Sequence, residues 1–248
     1  MLLDSLSKEG RSMPEKNNPD NVAKIDLGKL RKTVLSRMVM FLIVTACIFF
    51  IPAGTLQYWE AWAYIAILFL PASVMMLYLL KNDPELLDRR MRMKEKQPEQ
   101  KKIIKWSYAF FILTFLIPGF DRRFGWSSVH LAIIIAADVF ILVGYLLLVR
   151  VLLENRYASR IIEVAEKQKV IATGPYAIVR HPMYSSVLLI YGFSPLALGS
   201  YWALIPTVFI IISLIARILN EEKLLLKELD GYAEYTKKTR YRMIPGIW

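Results

Sequence analysis

Long apolar runs separated by blocks of charge make up most of the chain. The runs cover about residues 38–57, 59–80, 106–120, 128–152, 183–198 and 201–219. None of them alternates between apolar and polar positions as a half-buried strand does, and most approach the roughly 20 residues that a helix needs to cross a bilayer. Backbone polar groups inside lipid must all be satisfied, which a helix achieves within one segment. The pattern therefore predicts an all-α fold, a polytopic transmembrane helix bundle of about six spans with a cytosolic C-terminal helix.

Gly199 and Ser200 alone separate the last two runs, which predicts a tight helical hairpin over 183–219. The chain divides into a polar cytosolic N-terminal segment (1–37), spans one to four (38–152) and a C-terminal region (153–248) that holds the hairpin and a polar tail. The basic loop at 81–105 lies between spans two and three. Two interpretations of this loop stay open: a helix lying on the lipid headgroups, or a solvated basic connection.

The basic residues lie almost entirely on one side of the predicted bundle. Of the 32 Lys and Arg residues, all but Arg122 and Arg123 fall within 1–37, 81–105, 150–181 and 217–248. If six spans alternate from a cytoplasmic N-terminus, these four segments all lie in the cytoplasm, as the excess of positive charge in cytoplasmic loops requires. We therefore expect a multi-pass integral membrane protein with both termini in the cytoplasm.

Composition narrows the class of protein further. Hydrophobic residues make up 56% of the chain, and the mean hydropathy is +0.38. This share exceeds that of soluble domains and excludes a disordered chain. Cys47 is the one cysteine, so a disulfide framework is excluded. The net charge of +11 fits a basic membrane surface better than nucleic acid when so much of the chain is apolar. The expected partners are membrane lipids and a lipophilic small-molecule or lipid substrate, with no nucleic acid.

Chemically useful side chains gather at the two ends of the predicted hairpin. Tyr176, the run Arg180-His181-Pro182 and Tyr184 precede it, and Arg217, Glu221 and Glu222 follow it. A hairpin returns both ends to the same face, so the two groups should be neighbours. Arg217 and Glu221 share a helix face at a spacing of four residues. Ionisable groups at a membrane boundary are candidate functional groups. An ordinary helical ion pair and an ordinary basic flank remain open as alternatives, and Asp138 is expected to hydrogen-bond inside the bundle.

The sequence contains no phosphate-binding loop, no dinucleotide-binding glycine motif, no Cys-x-x-Cys and no His-Glu-x-x-His. A nucleotide-like ligand therefore needs another kind of site. With two His and one Cys, a His/Cys metal site is not expected.

Jointly, the motifs of the last hundred residues resemble the isoprenylcysteine carboxyl methyltransferase family and its relatives, the phospholipid N-methyltransferases. The matching residues are Gly174-Pro175-Tyr176, Arg180-His181-Pro182-Met183-Tyr184, Leu198-Gly199-Ser200, Arg217, Glu221-Glu222, Tyr232, Tyr235 and the ending Arg240–Gly246. The resemblance covers about 150–248 and is closest to prokaryotic members. It departs at Gln168, where many members have His, and at Glu228-Leu229, where the family usually has Phe-Gly.

The resemblance implies a membrane-embedded methyltransferase that uses S-adenosylmethionine at a site open to lipid and cytosol, without a metal. By position, the implied cofactor-binding residues are Gln168, Lys169, Val170, Ile171, Tyr176, Arg180, His181, Pro182, Met183, Tyr184 and Glu221. The implied catalytic residues are Arg217 on the substrate side, with Glu221 and Glu222 as the acidic pair. The region 153–248 is then the cofactor-binding methyltransferase region.

The acceptor and two other classes of function stay open at the level of sequence. The carboxylate of a prenylcysteine-type substrate is preferred, because Arg217 could bind it bidentately and it needs no base. A phospholipid amine is the alternative acceptor, with Glu222 or His181 as the base. Another enzyme class, a sterol reductase that uses NADPH, shares a similar membrane architecture. A transporter or membrane scaffold would instead place ionisable residues in several spans.

Overall fold

The computed structural model describes residues 26–91, 98–155 and 168–248, with side chains at 26–88, 105–155 and 168–248. Within these ranges the chain is helical and has no strand, which confirms the predicted all-α fold. Most of the predicted N-terminal segment lies outside them. The helices are α1 Leu27–Ala53, α2 Trp59–Asn82, α3 Pro84–Met91, α4 Pro98–Phe124, α5 Leu131–Glu154, α6 Pro182–Ala197, α7 Leu204–Glu228 and α8 Tyr232–Lys238, with a short 3-10 helix at Gly174–Ala177.

The first helix begins at Leu27, well before the apolar run that predicts it. The Asp26 carboxylate caps it by accepting a hydrogen bond from the Lys29 N–H at 3.0 Å. Leu30 and Val34 lie in this extra length and are buried against α2 and α3. The helix therefore begins 11 residues before the apolar run of the first predicted span, because two buried apolar side chains extend α1 into a mainly polar segment.

Among the described residues, four helices are long and apolar enough to cross a membrane: α1, α2, α5 and α7. Their large apolar side chains are widely exposed, as they are in helices that face lipid. The chain is therefore an integral membrane protein. The helix α6 has 16 residues, about 24 Å of rise, and α4 carries charge near both ends. The count of six spans stays a prediction.

Helix α5 packs closely along α6, and this pair forms one side of the site. Gly144 makes the approach possible: a Cβ atom there would lie 2.9 Å from the Leu189 Cβ and 3.1 Å from the Ser186 carbonyl oxygen. On the other side of the bundle, α4 packs against both α1 and α7. The site lies between these two groups of helices.

The predicted hairpin is confirmed. α6 ends at Ala197, α7 begins at Leu204, and the connection is held by polar contacts at its turn. Buried Asp121 accepts hydrogen bonds from the Ser127 and Ser200 hydroxyls, and the Tyr58 hydroxyl donates to the Leu198 carbonyl oxygen at 2.6 Å. These contacts fix the turn at the end of the bundle away from the candidate site.

Part of the basic loop at 81–105 forms α3, and residues 92–97 lie outside the described part of the chain. Leu86 and Leu87 are 2% exposed and pack with Leu30, Val34 and Leu79. The apolar side of α3 therefore contacts α1 and α2. Neither interpretation of the loop anticipated this, because the sequence shows that a face is apolar but not what covers it.

Candidate active site

The residues before α6 are positioned by the C-terminal tail. The Arg180 N–H donates to the Tyr241 carbonyl oxygen at 2.9 Å, and the His181 N–H donates to the Arg242 carbonyl oxygen at 2.8 Å. Pro182 follows at the first turn of α6, where its missing N–H costs nothing. The tail thus fixes the backbone from which the Arg180 and His181 side chains project toward α7.

Glu222 is the centre of a buried ion-pair cluster. Its Oε1 accepts from Arg180 Nε at 2.7 Å, and its Oε2 accepts from Arg242 Nε at 2.7 Å. His181 Nε2 lies 3.3 Å from Oε1. Arg180 also donates to the carbonyl oxygens of Thr239 and Arg240. Charge-assisted hydrogen bonds of this kind are short and strong, so the Glu222 carboxylate is held firmly.

Glu221 points to the other side of α7 and meets different partners. Its Oε2 accepts a hydrogen bond from the Tyr184 hydroxyl at 2.7 Å. Arg217, one turn earlier on α7, interacts with the same hydroxyl. His181 Nδ1 lies 3.9 Å from Glu221 Oε1. The predicted proximity of the two ends of the hairpin is therefore confirmed by a direct contact between α6 and α7.

A cavity of about 920 Å³ begins at this contact and continues between the helices. Its polar end is formed by segment 168–171, the 3-10 helix, the start of α6 and the end of α7. Its other end is lined by apolar side chains of α1, α2, α4 and α5, including Phe49, Leu68, Phe115 and Leu148. One space therefore joins charged groups to an apolar compartment.

Most of the site residues that the sequence predicts line this cavity. They are Gln168, Lys169, Val170, Ile171, Tyr176, Arg180, His181, Met183, Tyr184, Arg217 and Glu221. Pro182 and Glu222 lie behind its wall. Glu222 is therefore not placed to touch a ligand in the cavity, since its carboxylate is occupied by Arg180, Arg242 and His181.

Tyr235 and Tyr232 on α8, which are among the residues of the sequence resemblance, also line the cavity. The Tyr235 hydroxyl donates to the Tyr176 carbonyl oxygen at 2.6 Å and so ties α8 to the 3-10 helix. Burial raises the pKa of Tyr235 to about 12. Burial also raises the pKa of Tyr232, and its hydroxyl has no hydrogen-bond partner among the described residues. A buried polar atom of this kind beside a cavity fits a ligand-binding role.

Other lining residues were missed at the level of sequence because they lie far apart along the chain. Asn155 donates to the Tyr176 hydroxyl at 2.9 Å, and Arg37 of α1 lies on the cavity wall. Asp138 is not among the lining residues. Its Oδ1 is buried and has no hydrogen-bond partner in the described part of the chain, so the expectation of an internal hydrogen bond is wrong for that oxygen.

A comparison with known protein families indicates the class of enzyme. Residues 132–227 match the sequence profile of the isoprenylcysteine carboxyl methyltransferase family. The match covers 96 of the 248 residues and shows that this region is similar to that family. It contains α5, α6, most of α7 and the polar end of the cavity. Together with the apolar helices α1, α2, α5 and α7, the match supports a membrane methyltransferase. A search of curated proteins finds no match to the chain.

Proposed function

We propose that this protein transfers the methyl group of S-adenosylmethionine to a lipid-like acceptor, and that the nucleophile is a carboxylate of the prenylcysteine type. The continuity of this cavity carries the proposal. It places Glu221, Arg217 and His181 at one end of continuous apolar walls. Sites for small molecules occupy about 300–1,000 Å³. A cavity of about 920 Å³ is near the upper limit, as a site for two reactants should be.

The polar end fits S-adenosylmethionine. When bound, this cofactor supplies an electrophilic methyl group on a cationic sulfonium. The Glu221 carboxylate lines the cavity and would hold the cation and its amino group by charge-assisted hydrogen bonds. The unpaired Tyr232 hydroxyl and the segment 168–171 offer further polar groups.

Arg217 is the residue that we assign to the acceptor. It lines the cavity one helical turn from Glu221, on the side that leads to the apolar walls. A guanidinium binds a carboxylate through two parallel hydrogen bonds, and the acceptor is thereby oriented for in-line attack. A carboxylate is already an anionic nucleophile, so these residues need to position it and exclude water but not to remove a proton.

A carboxylate fits the site better than a phospholipid amine. Methylation of an ammonium group requires a base, and the sequence offers Glu222 or His181. Glu222 lies behind the cavity wall and is paired with Arg180 and Arg242, which makes it a poor proton acceptor. An anionic head also matches the Arg217 charge.

We place the polar end of the cavity at the cytoplasmic face, with both chain termini on the same side. The charge asymmetry along the sequence supports this orientation. The start of α1, α3 and the site all lie at the basic end of the helices. A protease added to sealed vesicles should remove a tag from either terminus only when the cytoplasmic face is outward.

A radiolabelled methyl donor tests the reaction directly. Purified protein in lipid nanodiscs is offered N-acetyl-S-prenylcysteine or phosphatidylethanolamine, and the product is treated with alkali. A methyl ester releases volatile methanol in alkali, whereas an N-methyl group is retained. We expect labelled ester from the first acceptor and much less of it with Glu221→Gln at the same donor concentration. Base-stable label in the phospholipid would refute the carboxylate assignment, and absence of label with every acceptor would refute the proposed function.

A further inference from the structure

The segment Arg240–Trp248 packs against the start of α6 and the end of α7 without forming part of the cavity wall. No described residue after Tyr235 lines the cavity. The segment also lies outside the matched family region, which ends at 227. Any influence that it has on the site must therefore act through other residues.

The backbone of this segment contacts the start of α6 at several points. Besides the bonds to the Arg180 and His181 amides, the Met243 carbonyl oxygen accepts from the Ser185 hydroxyl at 2.6 Å. The Met243 side chain is 4% exposed and packs in one cluster with Tyr184. The tail is therefore fixed against the turn that carries the site residues.

Arg242 is the side chain through which the tail reaches α7. Its Nε donates to Glu222 Oε2 at 2.7 Å, while Arg180 takes the other oxygen. Its guanidinium carbon lies 5.2 Å from the centre of the Trp248 ring, a distance at which a cation and an aromatic face attract. The Trp248 carbonyl oxygen accepts from the Met243 and Ile244 amides, which closes residues 243–248 into a loop that holds Trp248 near Arg242.

With an arginine on each oxygen, the Glu222 carboxylate has one favourable orientation. In that orientation Oε1 lies 3.3 Å from His181 Nε2, and the His181 ring packs edge-on to Tyr184 with ring centres 5.9 Å apart. Tyr184 in turn donates to Glu221. If Arg242 is removed, Oε2 loses its charged donor, the carboxylate rotates, and the His181 ring loses the neighbour that orients it.

We infer that Arg242 is a positioning residue for cofactor binding: it acts through Glu222 on the orientation of His181 at the cavity wall, and Trp248 acts through Arg242. The inference rests on the proposed function, since it names what shapes the same site. It assigns to the C-terminal segment a role in cofactor affinity, separate from its part in stability.

The test compares Arg242→Gln, Arg242→Lys and Tyr58→Phe with the wild type in detergent. Tyr58 is buried at the opposite end of the bundle, and its change to Phe removes one structural hydrogen bond. Calorimetric titration gives the Kd of S-adenosylhomocysteine, thermal unfolding gives Tm, and methyl-transfer assays give kcat and the two KM values.

For Arg242→Gln we expect a Kd about tenfold weaker and a donor KM raised to a similar extent, because small misplacements of binding groups are costly. The acceptor KM stays unchanged, and kcat changes less than the donor KM. Arg242→Lys, which retains one charged donor, should recover most of the affinity. Tyr58→Phe should lower Tm and leave Kd as in the wild type.

Two results would overturn the inference: an unchanged Kd in Arg242→Gln, or a loss of affinity in Tyr58→Phe that matches its loss of Tm. The first would show that the tail does not reach the cofactor, and the second that affinity only follows stability. If the wild type binds no S-adenosylhomocysteine, the proposed function fails and the inference fails with it.

Discussion

Substitution of Gln at the adjacent acids Glu221 and Glu222 should affect different properties: cofactor affinity at Glu221 and thermal stability at Glu222. Glu222→Gln removes a charge from a carboxylate that is 6% exposed and held by Arg180, Arg242 and His181. Glu221→Gln changes a carboxylate that lines the cavity and accepts one described hydrogen bond, from Tyr184. Glu222 therefore stabilises the fold, whereas Glu221 is accessible to a ligand in the cavity.

The structure sets the size of each effect. Removing one partner of a buried ion pair costs about 3–5 kcal/mol, and at Glu222 the amide nitrogen of Gln would face an arginine donor. At Glu221 a Gln oxygen can still accept from Tyr184, so the cost in stability is about 0.5–1.5 kcal/mol. Loss of a charged hydrogen bond to the cofactor is worth about 1.5–3 kcal/mol, which corresponds to about 10- to 150-fold in Kd.

Thermal unfolding followed by tryptophan fluorescence, together with titration of S-adenosylhomocysteine, separates the two. For a chain of this length, 1 kcal/mol corresponds to about 2–4 °C in Tm. We expect Glu222→Gln to lower Tm by about 6–20 °C and Glu221→Gln by a few degrees at most, with Glu221→Gln losing most of the affinity. An unchanged Tm in Glu222→Gln, or wild-type affinity in Glu221→Gln, would refute the division of roles.

Five further substitutions test other parts of the site and the helix packing around it. Arg217→Lys should reduce kcat/KM for a carboxylate acceptor by about tenfold, since Lys cannot bind it bidentately; an equal loss with an amine acceptor would contradict this. Tyr232→Phe should leave the ligand-free Tm unchanged or higher because its hydroxyl is unpaired, whereas Tyr235→Phe should lower Tm by losing its bond to Tyr176. Gly144→Ala should lower Tm because its Cβ would lie 2.9 Å from Leu189, whereas Gly192→Ala, whose Cβ would meet only Leu188 at 3.8 Å, should not.

The sequence predicts the hairpin and its paired ends because both depend on local features. A Gly-Ser pair interrupts an apolar run, and a spacing of four residues puts Arg217 and Glu221 on one face. These features are sufficient to place Tyr184 next to Glu221, as the structure shows. The same reasoning cannot separate Glu221 from Glu222, which are neighbours in the sequence but lie on different faces of α7.

The C-terminal tail distinguishes Glu222 from Glu221, because Arg242 pairs with Glu222. Arg242 reaches Glu222 through irregular backbone after α8, where no periodic pattern indicates which side chains meet. The part of α1 before its apolar run is not evident from the sequence for a related reason, since Leu30 and Val34 are isolated apolar residues that become buried only when α3 covers them. Long-range contacts through loops are therefore the part of this molecule that local patterns do not reveal.

Different regions of the chain form the polar end and the apolar end of the cavity. The family match covers mainly the polar end, so it bears unequally on the methyl donor and on the acceptor. The polar end lies mainly within residues 132–227, whereas α1, α2 and α4, which line much of the apolar part, lie outside that range. The family match therefore bears on the donor chemistry, and we predict that these three helices select the acceptor. Ala72 of α2 lines the cavity, so Ala72→Leu should raise the acceptor KM several-fold while the Kd of S-adenosylhomocysteine stays unchanged. Val74→Leu, which adds bulk to an exposed side chain of the same helix, is the matched control. Equal effects of the two substitutions on the acceptor KM would show that the apolar compartment does not hold the acceptor.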